Sequence, residues 1–184
     1  MLNLPNLITL IRIVLIPCFV ALLLRYRETG EEMFRWLAFA AFVAAAASDA
    51  FDGMIARMQD RKTVLGSYLD PLADKLLLLA AVVVLSVPMG RLERLPSWFP
   101  VLVLSRDLLI ALGSLLVHML CGSLTPRPSV AGKCATTLQM VTCAWVLCGW
   151  PYHEIFLYPA AALTVVSGVG YARDGLRQFQ GVGG

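Results

Sequence analysis

Asp49 and Asp52 close one strongly apolar stretch of this chain, and Asp70 and Asp74 open the next. With Gly53, Ala56, Arg57 and Gly66 they form D-x-x-D-G-x-x-A-R, eight further residues, then G-x-x-x-D-x-x-x-D. A charged side chain near a bilayer centre costs roughly 2.5–3.5 kcal/mol on insertion scales. Four such carboxylates therefore require compensation, and divalent cations can supply it.

On helices this spacing becomes geometric. Asp49, Asp52 and Ala56 fall three and four apart, and Gly66, Asp70 and Asp74 four apart, so each set shares a helical face. Two neighbouring antiparallel helices can turn the four carboxylates toward one another. Hard oxygen ligands suit Mg²⁺, Mn²⁺ or Ca²⁺ and not zinc or copper. Four carboxylates, two of them shared, would hold two ions about 3.5–4 Å apart, the arrangement that clamps attacking and leaving oxygens in phosphoryl transfer. Gly53 and Gly66 leave room for a ligand to approach the backbone. Arg57 offers a planar fork of donors suited to phosphate. The combination describes a diphosphate site. A lone D-x-x-D is most often a solvated helix face; eight specified positions in an apolar setting are far harder to reach by chance.

The elements that carry these residues read as membrane spans. Of the 184 residues 59% are hydrophobic and 15% charged, where a soluble domain carries about a quarter charged. The apolar residues come in blocks close to the roughly 20 residues that cross a bilayer. The expected spans are about Leu7–Leu24, Phe34–Met54, Leu65–Val87, Trp98–Leu120, Cys134–Trp150 and Ile155–Tyr171. The stretch Ala38 to Ala47 is rich in alanine, which lets helix backbones approach closely and places the second span centrally. Gly122 to Lys133, with Pro126 and Pro128, reads as a loop. The fold expected is an all-α integral membrane protein of about six transmembrane helices, one domain over residues 1–184, with a short flexible tail over about 175–184.

Charge and cysteine content narrow the function. A net charge of +3 is too small to suggest nucleic acid. Arg61, Lys62, Arg127, Lys133, Arg173 and Arg177 favour one side of the membrane, expected to be cytoplasmic. The five cysteines form no C-x-x-C pair and read as small buried hydrophobes. His118 and His153 lack the neighbours a zinc site needs. The first stretch lacks a basic leader and a cleavage site and reads as a retained helix.

The segment Asp49 to Asp74 resembles the signature of the CDP-alcohol phosphotransferases, integral membrane enzymes of phospholipid synthesis, at every signature position. Asn6, Thr9 and Arg12 resemble the family's N-terminal pattern, and Ser105-Arg106-Asp107 and Gly132-Lys133 with Thr136 its later patches. The resemblance implies a six-helix bundle, commonly a homodimer, with a polar metal-binding cavity near the cytoplasmic face of the bacterial inner membrane. It implies two ions, Mg²⁺ or Mn²⁺, held by Asp49, Asp52, Asp70 and Asp74, with Asp74 also the general base. Asp52, Gly53, Ala56, Arg57 and Gly66 would surround the cytidine nucleotide of CDP-diacylglycerol. An acceptor hydroxyl would attack the phosphorus nearest the lipid and release CMP.

The acceptor is less legible. The run Leu65 to Lys75 resembles the branch that makes phosphatidylglycerophosphate and cardiolipin. Arg106, Lys133 and Arg127 are the candidates for binding acceptor phosphate. Enzymes of this branch that take glycerol 3-phosphate usually carry two more basic residues, and Ser114 and Ala135 stand at those positions here. A phosphomonoester with nearly two negative charges should miss those cations, which tilts the expectation toward phosphatidylglycerol as acceptor, with glycerol 3-phosphate the alternative. Arg106 has a plainer reading, pairing with Asp107 or reaching to the interface, and Lys133 could be an ordinary topology lysine. A cation transporter would explain the aspartates but leaves Gly53, Arg57 and Gly66 without a purpose. A membrane prenyltransferase would be larger and would space its aspartate motifs farther apart.

Overall fold

The computed structural model describes the backbone of residues 4–59, 64–121 and 129–182, and the side chains of 11–48, 72–115, 119 and 129–173. Six helices follow in order: α1 (Leu4–Thr29), α2 (Glu32–Gln59), α3 (Val64–Leu85), α4 (Trp98–Cys121), α5 (Val130–Leu147) and α6 (Glu154–Val182). Each expected apolar stretch is helical over most of its length, α3 ending at Leu85 and α5 at Leu147. Among the described residues there is no strand, only an isolated bridge between Met89 and Leu92.

Several helices outrun their apolar cores. α2 continues past Asp49 and Asp52 to Gln59. α5 starts at Val130, so Gly132 and Lys133 belong to its first turn and not to the expected loop. The cause is Ser129, whose hydroxyl accepts from the Gly132 N–H at 3.1 Å and caps the helix. α6 runs to Val182 and takes in most of the stretch expected as a flexible tail.

The chain divides into two compact units, Met1–Leu95 with Cys143–Pro151, and Pro96–Thr142 with Tyr152–Gly184. In the first, α1 packs against α2 and α3. Gly30 turns the chain between α1 and α2: its φ of 71° suits a residue without Cβ, and its N–H donates to the Tyr26 carbonyl at 2.8 Å, closing α1. Ala38, Phe42 and Ala45 are buried on α2, and Phe19, Leu23 and Tyr26 on α1. This is the close approach expected of the alanine-rich span. On α3, Ala73, Leu77, Ala81 and Leu85 recur every four residues and are buried. Near the turn at Gly30, Arg35 donates to the Leu147 carbonyl at 3.3 Å and pairs with Glu32.

In the second unit α4 packs on α6. Buried Gln139 of α5 donates to Thr164 of α6 at 2.7 Å. Val101, Leu104, Leu108, Leu112 and Leu115 of α4 are exposed at helical spacing. Such a stripe would be costly in water and suits lipid. Among the described residues, Trp98–Leu115, Val130–Leu147 and Glu154–Arg173 are long and apolar enough to cross a membrane. The chain is a helical membrane protein.

Candidate active site

The signature aspartates fall on two consecutive helices. Asp49 and Asp52 lie in the last three turns of α2, and Asp70 and Asp74 in the first three of α3, so both pairs sit within about three turns of the α2–α3 connection. α2 and α3 pack against each other. The side chains of Asp49, Asp52, Gly53, Ala56, Arg57, Gly66 and Asp70 lie outside the described residues, as does Arg127 altogether. Asp74 is described: it is half-buried, next to fully packed Ala73 and one turn from buried Leu77 and Leu78, with Oδ1 closed off from solvent. The segment 49–74 supplies carboxylates and no Cys or His. That donor set fits a hard divalent cation.

Sequence reasoning gave Arg12 no role at this site. Its relative exposure is 0%, in the helix that packs on α2 and α3. A guanidinium removed from water requires anionic or hydrogen-bonding partners, and the two helices against α1 carry the four aspartates. The signal was present as a lone cation in the middle of the first apolar stretch.

The second unit holds a separate polar cluster. Arg106 of α4 donates from Nη1 to Asp107 Oδ1 at 2.7 Å and from Nη2 to Ser167 Oγ of α6 at 2.9 Å. Its side chain is only 12% exposed, so it pairs with Asp107 and does not reach for the interface. Gly132 of α5 lies against the same guanidinium: a Cβ there would stand 2.6 Å from Nη2 and 3.1 Å from both Ser129 Oγ and Ser167 Oγ. The Ser129 N–H donates to Tyr171 Oη at 3.2 Å. Three helices thus meet around one cation. Ser129, Ser167 and Tyr171 were absent from the sequence reading because their partners lie far off in the chain. The remaining clue was hydroxyl-bearing residues at four-residue spacing, Ser167 and Tyr171, in an apolar helix.

Other positions bearing on the acceptor lie on α4 and α5. Lys133 is exposed on the first turn of α5. Ser114 returns its hydroxyl to the Ala111 carbonyl of its own helix at 2.9 Å. Ala135 is fully buried.

A profile of the CDP-alcohol phosphatidyltransferase family matches residues 2–166. The chain is 35% identical over 185 aligned residues to a protein of Mycobacterium tuberculosis (strain ATCC 25618 / H37Rv) named probable phosphatidylglycerophosphate synthase, covering 98% of this chain and 85% of that one. It is 36% identical to the CDP-diacylglycerol–glycerol-3-phosphate 3-phosphatidyltransferase of Escherichia coli (strain K12), covering 91% of this chain and 87% of the relative. A protein of the same name from Shigella sonnei (strain Ss046) matches to the same extent. With its signature carried on α2 and α3 and the family match spanning most of its length, the chain belongs to the CDP-alcohol phosphatidyltransferase family.

Proposed function

We propose that this protein transfers a phosphatidyl group from CDP-diacylglycerol to a hydroxyl of glycerol 3-phosphate and releases CMP. The observation that carries the reaction class is the full aspartate signature on two packed consecutive helices, within a family match over residues 2–166. The acceptor reverses the lean toward phosphatidylglycerol drawn from the sequence. The names of relatives aligned over nearly the whole chain support glycerol 3-phosphate.

In this reading Asp49, Asp52, Asp70 and Asp74 hold two divalent ions, Mg²⁺ or Mn²⁺. When bound, such ions supply positive charge beside the diphosphate and the departing CMP. Asp52, Gly53, Ala56, Arg57 and Gly66 surround the cytidine nucleotide, with Arg57 donating to phosphate oxygens. The Asp74 carboxylate takes the acceptor hydroxyl proton as the oxygen attacks the lipid-side phosphorus. The new O–P bond forms while the bond from that phosphorus to the CMP oxygen breaks. Arg106, Lys133 and Arg127 bind the acceptor's phosphate. The whole chain acts as one six-span transferase domain, a homodimer in the bacterial inner membrane with its site toward the cytoplasm.

The test uses purified protein in detergent with CDP-diacylglycerol, Mg²⁺ or Mn²⁺, and either glycerol 3-phosphate or phosphatidylglycerol. CMP release with glycerol 3-phosphate alone is the expected result. Release only with phosphatidylglycerol would restore the cardiolipin-forming reaction. A protein that folds and binds metal yet releases CMP with neither acceptor would end the proposal.

A further inference from the structure

We propose that Ser167 is a positioning residue that orients Arg106 toward the acceptor's phosphate, and that Gly132 keeps open the space the guanidinium needs to be held this way. The inference rests on the reading of Arg106 as an acceptor-binding cation. Neighbouring residues on a helix do not normally face each other. The contact between Arg106 Nη1 and Asp107 Oδ1 at 2.7 Å therefore draws the guanidinium along its own helix. One such contact leaves the planar group free to swing about it. The Ser167 hydroxyl, 2.9 Å from Nη2, is the second fixed point and comes from a different helix.

Two points fix a plane-bearing fork that has only one set of donor directions. Ser167 is itself 1% exposed, so water cannot readily replace its hydroxyl. Gly132 completes the arrangement by what it lacks. A methyl group at that position would stand 2.6 Å from Nη2 and 3.1 Å from each of the two serine hydroxyls, so the guanidinium would have to leave its present place. The missing Cβ of Gly132 and the Ser167 hydroxyl therefore bear on the same nitrogen. Arg106 keeps its remaining Nη hydrogens for a phosphate in a pre-set direction, and a pre-set donor costs less ordering on binding.

Steady-state kinetics on the purified full-length enzyme with CDP-diacylglycerol and glycerol 3-phosphate test this. Arg106→Ala is measured first and should raise KM for glycerol 3-phosphate. Ser167→Ala should raise the same KM about fivefold while kcat and KM for CDP-diacylglycerol stay within about twofold. Ser167→Thr, which keeps the hydroxyl, should stay near the parent enzyme. Gly132→Ala should raise KM for glycerol 3-phosphate at least as far as Ser167→Ala, and it carries the test if Ser167→Ala does not fold. If Arg106→Ala raises KM and neither Ser167→Ala nor Gly132→Ala does, the positioning role is overturned and the acceptor site stands. If Arg106→Ala leaves KM unchanged, the acceptor reading of Arg106 falls and the inference falls with it.

Discussion

Phe19 of α1 and Phe42 of α2 bring their ring centroids to 5.7 Å at an interplanar angle of 41°. The contact pins the register of the α1–α2 hairpin, which turns at Gly30. Arg12 lies about two turns before Phe19 in α1 and so continues the same packed face. Its complete burial on that face is a charge placed inside the unit that carries the signature aspartates. Removing one side of a buried charge arrangement leaves the other uncompensated. Arg12→Ala is therefore expected to destabilise the protein by about 3–5 kcal/mol and to abolish CMP release. Arg12→Lys should recover part of the stability. A melting curve for Arg12→Ala that matches the parent protein would show that the guanidinium balances nothing.

Gly149 has a φ of 70°, where an L-residue with a Cβ is strained. A Cβ at this position would also collide with Arg35 Nη1, which is engaged with the Leu147 carbonyl at the end of α5. Gly149→Ala should cost about 2 kcal/mol, with the part due to the collision recovered in an Arg35→Ala background. Additive losses in that double-mutant cycle would mean the two residues act independently.

Gln139 and Thr164 make a buried side-chain hydrogen bond between α5 and α6, and Thr164 also donates to the Ala160 carbonyl at 2.6 Å. Removing one partner strands the other, whereas removing both strands neither. Gln139→Leu and Thr164→Val should each lower the melting temperature in detergent. The double variant should lose less than their sum, with a coupling of about 0.6 kcal/mol, as typical for hydrogen bonds between membrane helices. Zero coupling would assign the two losses to packing alone.

What could be read from the sequence follows the range of the forces involved. Apolar blocks announce helices because burial of one stretch is a local property, and all six appeared where expected. The alanines from Ala38 to Ala47 announced close packing for the same reason. Helix ends were missed where capping decided them: Ser129 starts α5 ahead of Gly132 and Lys133, although Pro126, Pro128 and Gly132 read as loop. The aspartate signature was legible because its spacing matches two helical faces. The Arg106 cluster was only half legible. Its partner Asp107 is adjacent in the chain, but Ser167 and Gly132 reach it through tertiary packing that no periodicity encodes. The acceptor was the least legible part, because a residue type at position 114 or 135 does not say what its side chain meets in the fold.

Asp74 is the proposed base, and its geometry makes the sharpest substitution possible. It is the one signature aspartate whose side chain is described, half-buried with Oδ1 out of solvent. Asn has nearly the same shape, cannot accept the acceptor proton, and is a weaker ligand for a hard cation. Asp74→Asn is expected to lower kcat by at least about 10²–10⁴-fold, the usual value of general base catalysis, with limited loss of affinity for CDP-diacylglycerol. Chelation with EDTA should silence the parent enzyme, and Mg²⁺ or Mn²⁺ should restore it. The Asn variant should stay silent at saturating metal, because added ions replace lost occupancy but not a missing proton acceptor. Asp70→Asn, by contrast, should respond to added metal in part, since its assigned role is ligation alone. Full recovery of Asp74→Asn by metal would reduce Asp74 to a ligand, and an unaltered rate would remove it from the reaction.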